Sequence, residues 1–173
     1  MTRQADDLNR FFNHSGLETE LLSSNIQELL DSVPMVKGSM RAGHSMDWTN
    51  YHPIEDIYSY WDYLEATYDW VSTESIGKSY EGQDMRLLKV CKNSGGCGER
   101  PAMWIDGGIH ANEWIGPATA SFMAKELVEN DNGHPDLTDH LDWYILPLVN
   151  PDGYRYAQVQ FFAVGNQFGT IGQ

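Results

Sequence analysis

Trp104-Ile105-Asp106-Gly107-Gly108-Ile109-His110-Ala111-Asn112-Glu113-Trp114 is the stretch on which both the fold and its chemistry turn. Pro101 to Ile105 is an apolar run of strand length, and Asp106-Gly107-Gly108 ends it. From Glu113 to Val128 the residues Ile115, Thr119, Phe122, Met123 and Leu127 recur at helical spacing, with Pro117 tolerated in the first turn. An imidazole and a carboxylate therefore stand three positions apart where strand gives way to helix, His110 in the loop and Glu113 in the first helical turn. A catalytic zinc ion takes roughly three protein ligands and keeps a further position for water, so the pair reads as half of a zinc site. Taken alone, His and Glu at this spacing describe many surface pairs. The buried strand, the two glycines and a helix-leading tryptophan narrow the description, and Trp114 itself reads as a packing residue. Glycine at 107 and 108 leaves room for close backbone approach and for an ion.

Working outward, strands and helices alternate. Trp143 to Val149 is a second strongly apolar strand, followed by Asn150-Pro151-Asp152-Gly153, a turn by composition. Ligands of open α/β sheets gather at the carboxyl ends of strands, which is where both His110 and Asn150 fall. Upstream, Val71 to Ile76 and Met85 to Cys91 read as strands separated by turn-forming Gly77 and Gly82. After Pro53 a helix carries Ile54, Ile57, Tyr58, Trp61 and Leu64 on one side and Glu55, Asp56, Asp62 and Glu65 mostly on the other. The pattern predicts a layered α/β domain.

Ahead of that domain, Leu8, Phe11 and Phe12 mark a helix stopped by His14-Ser15-Gly16, and Leu17, Thr19 and Leu21 alternate like a short strand. Asn25 with Glu28 reads as a capping box for a helix over Ile26, Leu29 and Leu30. From Ser32 to Trp48 periodicity fades and Pro34, Gly38 and Gly43 appear with Lys37 and Arg41, as in a linker. Arg41-Ala42-Gly43 suits a trypsin-like cut, with an ordinary surface arginine as the alternative.

The bulk composition narrows the function classes. The 173 residues carry a formal net charge of −14, which repels a phosphate backbone and sets nucleic-acid binding aside. No apolar run approaches the ~18 residues of a membrane span, so no membrane partner is expected, and Met1 to Arg10 lacks the basic-then-apolar order of a signal peptide. The two cysteines, Cys91 and Cys97, flank a glycine-containing hairpin tip where a short-loop disulfide forms in an oxidising compartment; free thiols are the alternative. Of the remaining histidines, His134 and His140 follow the helix that begins near Glu113 and fall beyond its far end. His14, His44 and His52 read as surface or linker residues.

Read together, several motifs resemble the zinc carboxypeptidases of the carboxypeptidase A/B type. They are Tyr51-His52-Pro53-Ile54-Glu55-Asp56-Ile57-Tyr58, Ile76-Gly77-Lys78-Ser79-Tyr80-Glu81-Gly82-Gln83, Trp104 to His110, Glu113-Trp114-Ile115, and Asn150-Pro151-Asp152-Gly153-Tyr154. The resemblance implies a mixed-sheet α/β/α domain whose N-terminal part is residues 48–156. Residues 1–40 would be the end of an inhibitory pro-segment, 41–47 a linker holding the activation cleavage at Arg41, and 157–173 a divergent tail.

It also implies one Zn2+ with His110 and Glu113 as its first two ligands. Substrates would be peptide or protein C-termini, the pro-segment would pair with the catalytic domain, and the setting would be extracellular. Asn112 departs from the arginine usual at that place. The family's third ligand, general base, substrate-covering tyrosine and carboxylate clamp lie further on, with no matching position in these residues. The expectation is a chain truncated before the second half of the domain and inactive alone, belonging by family to a metallocarboxypeptidase. The alternative is a non-catalytic fragment that acts as a peptide or pro-segment binding module.

Overall fold

The computed structural model describes residues 3–18, 20, 25, 28 and 43–168. The chain divides into two units, Met1–Val33 and Pro34–Gln173.

In the first unit, helix α1 spans Arg3–His14. Its stop is built on Gly16 at φ 69°, in the left-handed region that glycine enters without strain. That conformation lets the Leu17 N–H donate back to Phe12 O at 3.1 Å and the Gly16 N–H to Asn13 O at 3.4 Å. Leu17 thus closes the helix rather than opening a strand, which corrects the alternating reading there. The Glu28 N–H donates to Asn25 Oδ1 at 3.4 Å, one half of the capping box. Thr19, Leu21, Ile26, Leu29, Leu30 and Arg41 lie outside the described residues.

The second unit holds a four-stranded mixed sheet. Helix α2 (Ile54–Thr67) leads into β1 (Val71–Lys78), β2 (Asp84–Val90) and β3 (Ala102–Asp106); helix α3 (Ile115–Val128), the short helix α4 (Pro135–Asp139), β4 (Asp142–Leu146) and helix α5 (Pro151–Phe168) follow. Strand order is β1-β2-β4-β3. β1 and β2 form an antiparallel hairpin and β2 runs antiparallel to β4, but β3 and β4 are parallel, joined by the α3 crossover. Gly77 lies inside β1 at a register shift between Ser75 and Lys78, so the hairpin turns at Gly82 and not at Gly77.

β4 is covered on both faces, with Trp143, Ile145 and Leu146 buried, which explains its unbroken apolar run. Against β1 packs α2, and against β3 and β4 packs α3. The buried stripe of α2 is Ile54, Ile57, Tyr60, Trp61 and Leu64. Tyr60 takes the core place predicted for Tyr58, because it sits three residues after Ile57 and four before Leu64. Tyr58 instead rests half-buried, its hydroxyl donating to Asp84 O at 2.6 Å.

Candidate functional site

The parallel pairing of β3 with β4 sets Asp106 beside Leu146, so the loops that leave both strands emerge at one end of the sheet. They are stitched together. The Gly107 N–H donates to Leu146 O at 3.0 Å, Val149 N–H to Gly107 O at 2.9 Å, and Asn150 N–H to Gly108 O at 3.1 Å. The Asn150 side-chain amide adds a bond to Ile109 O at 3.3 Å. The loops that bear His110 and Asn150 thus meet at one end of the sheet.

The two glycines are there for space. A Cβ on Gly107 would meet the Gly116 backbone at 2.9 Å, and Gly108, at φ 66°, would set one 3.0 Å from Leu148 Cδ2 and from Pro117 Cγ. The loop thus lies hard against the start of α3 on one side and the end of β4 on the other.

His110 Nδ1 and Glu113 Oε2 are 3.0 Å apart, and both side chains are well exposed. Glu113 is not in the first helical turn. Pro117 has no N–H to give, so the first intrahelical bond is Ala118 N–H to Trp114 O, and Gly116 N–H takes Glu113 O instead. A Glu113 N–H to His110 O bond of 3.2 Å closes a tight turn between the pair. The two side chains meet at the ends of that turn. Trp114 packs as expected: it is buried, its ring N–H donates to Ala111 O at 3.1 Å, and its ring makes a T-shaped contact with Tyr51.

Asn150-Pro151-Asp152-Gly153 is not a turn but the start of α5. Asn150 Oδ1 accepts the Gly153 N–H at 2.9 Å, as an N-cap does, with Pro151 in the first helical position where its missing donor costs nothing. An Asn followed by Pro and Asp is a helix-start signal, and it would have identified the cap from sequence. Asp152 then reaches the β1–β2 turn, accepting from Ser79 Oγ at 2.6 Å and Glu81 N–H at 3.0 Å.

Two histidines read as surface or linker residues are buried. The His44 ring lies 4.8 Å from the Tyr60 and Tyr63 ring centres, edge-on to the first and tilted to the second, and desolvation pushes its pKa down, against the pull of Glu129. His52 bridges Asp47 backbone atoms at 3.0 Å and Asp56 Oδ2 at 3.3 Å, while its carbonyl accepts from Tyr154 Oη at 2.8 Å. His14 is exposed at the end of α1, and His134 and His140 flank α4, past the end of α3. Cys91 and Cys97 are joined as a disulfide.

One imidazole nitrogen and one carboxylate oxygen are donors that zinc accepts, and at roughly 2.1 Å from a tetrahedral ion two such donors lie about 3.4 Å apart. The observed 3.0 Å is close to that, so the pair fits zinc as two of its ligands. Among the described residues no group of three or more His, Cys, Asp or Glu side chains is placed to hold a metal ion.

These features define a strand-end His–Glu pair on a mixed α/β sheet. A zinc carboxypeptidase family model matches residues 57–166, and the chain belongs to that family. It is similar to carboxypeptidase B of Astacus astacus, 43% identical over 112 residues that make up 64% of this chain and 36% of that one. Carboxypeptidase A4 of Mus musculus is 36% identical over 158 residues, 87% of this chain and 37% of the relative. Among solved structures, thrombin activatable fibrinolysis inhibitor superposes with a TM-score of 0.70 at 34% identity, covering 87% of this chain and 38% of that one. The chain therefore spans little more than a third of the length of the curated relatives it matches. The mixed α/β sheet is the carboxypeptidase-like fold of these neighbours.

Proposed function

We propose that this chain carries the first half of the zinc site of a metallocarboxypeptidase that hydrolyses the C-terminal peptide bond of peptides and proteins, with His110 and Glu113 as two of the protein ligands. The observation that carries this reading is the 3.0 Å approach of the two side chains on a loop tied to Asn150 at the carboxyl ends of β3 and β4. Zinc, when bound, polarises a scissile carbonyl and lowers the pKa of its water toward ~7. The chain's own part is to present one nitrogen and one oxygen donor on a short turn. Gly107 and Gly108 keep that turn seated against α3 and β4, and the Asn150 amide holds its carbonyl.

The same reading takes residues 1–40 as the end of a pro-segment that pairs with the catalytic domain, and 41–47 as a linker cut after Arg41. Residues 48–156 are then the N-terminal part of that domain and 157–173 the tail, in a zymogen. The division of the chain between Val33 and Pro34 supports a separate N-terminal unit. The Cys91–Cys97 disulfide supports an extracellular setting, and no described helix is long and apolar enough to cross a membrane.

Zinc titration against a competing chelator tests the ligand pair. The wild-type chain is expected to bind one ion weakly, and His110→Ala or Glu113→Gln to lose at least about tenfold in affinity. Equal affinity in both variants would remove the pair from the site.

A second reading, that the 173-residue chain binds peptide without cleaving it, is favoured by the lack of a third donor beside the pair among the described residues. It expects no zinc-dependent cleavage of an unblocked or a C-terminally amidated peptide. Release of the unblocked terminal residue would sink it.

A further inference from the structure

Asn13-His14-Ser15 is the sole place in the 173 residues where an asparagine is followed two positions on by serine or threonine with no proline between. That triplet is the acceptor motif for N-linked glycans in chains that enter the secretory lumen. It also arises by chance, so its surroundings decide whether it is usable. Asn13, His14, Ser15 and Gly16 are all exposed, at the C-terminal end of α1 where Gly16 turns the chain away. At about 100° per residue, Asn13 stands roughly 140° around the helix from Leu8 and roughly 160° from Phe11, on the side of exposed Arg10. A sugar there projects into solvent and leaves the apolar side of α1, where Phe11 and Phe12 meet edge to face, uncovered. The Cys91–Cys97 disulfide marks an oxidising compartment, the kind in which such a transfer takes place.

We propose that Asn13 is N-glycosylated, its Nδ2 receiving an oligosaccharide from a lipid-linked diphosphate donor as the chain enters the lumen; this rests on the extracellular setting of the proposed function. In the transfer the bond from Asn13 Nδ2 to C1 of the reducing-end sugar forms as the bond from that C1 to the donor's diphosphate oxygen breaks. The lipid diphosphate leaves with the bonding pair, the amide gives up one proton, and nothing is oxidised or reduced. Ser15 sets the timing. In the closed helix end its Oγ donates to Phe11 O at 2.9 Å and its N–H to Phe11 O and Phe12 O at 3.0 Å, so the hydroxyl that completes the motif is already occupied. A 12-residue helix is marginal in water by itself, so the nascent segment is open to the transferase and closes afterwards.

The test is expression of the full chain behind a secretory leader in eukaryotic cells, read by gel mobility before and after peptide-N-glycosidase and by mass spectrometry of the tryptic peptide that starts at Phe11. The wild type and Ser15→Thr should carry a glycan that the enzyme removes, leaving an aspartate in place of the acceptor. Asn13→Gln and Ser15→Ala should carry none, whether or not they fold, because the transfer precedes folding. Thiol alkylation of the same material reports the compartment. A wild-type chain with Cys91 and Cys97 protected from alkylation but Asn13 bare would overturn the proposal, as would a glycan that persists in Asn13→Gln. A glycan on Asn13 beside freely alkylated Cys91 and Cys97 would uphold it and count instead against the disulfide that supports the extracellular setting.

Discussion

Two side chains three positions apart meet either because they share a helix face or because the backbone turns between them, and His110 and Glu113 meet by the second route. Pro117 decides it, by withholding the N–H that would have drawn Glu113 into the helix. The pairing was legible in the residues; its backbone cause was not, since it depends on which carbonyl is left over. Asp47 shows residue-scale electrostatics more plainly. Partial burial opposes its charge, but the Thr49 backbone, the Asn50 amide and the Thr49 hydroxyl all donate to it, and with His52 nearby its pKa is held down to about 2. A carboxyl whose folded pKa is depressed adds stability that is complete above its unfolded value of roughly 3.9 and is lost as pH falls through the folded one. Wild type should therefore exceed Asp47→Asn in thermal stability at pH 6, and the gap should close between about pH 4 and pH 2. The effect is modest because the side chain is 40% exposed. A gap that persists at pH 2 would show that the hydrogen bonds, not the charge, set the difference.

At the scale of elements, α5 begins on a residue that also serves the neighbouring loop. Asn150 uses its oxygen to cap the Gly153 N–H and its amide to hold Ile109 O, so one side chain couples a helix start to the turn that carries His110. Replacing it by alanine should cost about 1 kcal/mol of stability, the ordinary worth of such a cap, as read from urea unfolding. It should also speed amide exchange at residues 109–113. Loss of stability without faster exchange there would confine Asn150 to capping. Composition alone reads Asn-Pro-Asp-Gly as a turn because these residues favour turns and helix starts alike; what separates the two is whether the following residues find a surface to pack on. Tyr154 and Gln158 do, both reaching the His52 carbonyl.

Across the whole second unit, distant segments are closed by a few ties. The Cys91–Cys97 bridge ends a loop whose Gly98 N–H donates to Asp142 Oδ2 at 2.7 Å, at the fully buried start of β4. With a sequence separation of 6, the loop-entropy relation puts the bridge at about 2 kcal/mol. The double variant Cys91→Ser/Cys97→Ser should lose about that much in urea denaturation, and a reducing agent should produce the same loss in the wild type. An unchanged midpoint would mean that the connection from β2 to β3, which is not a hairpin because β4 lies between the two strands, is held by β2 and Asp142 without the bridge.

Local chemistry in the sequence determined the strands, most of the helices, the cysteine pair and the family to which the His110–Glu113 motif belongs. Each of those rests on periodicity or on residues within a few positions of one another. Only the tertiary structure decided that Ile109 meets Asn150 and that His52 and His44 are buried. Those facts follow from the strand order β1-β2-β4-β3 and the α3 crossover, which bring together residues tens to a hundred positions apart. No local pattern encodes such a meeting, because the burial that drives it belongs to both partners at once.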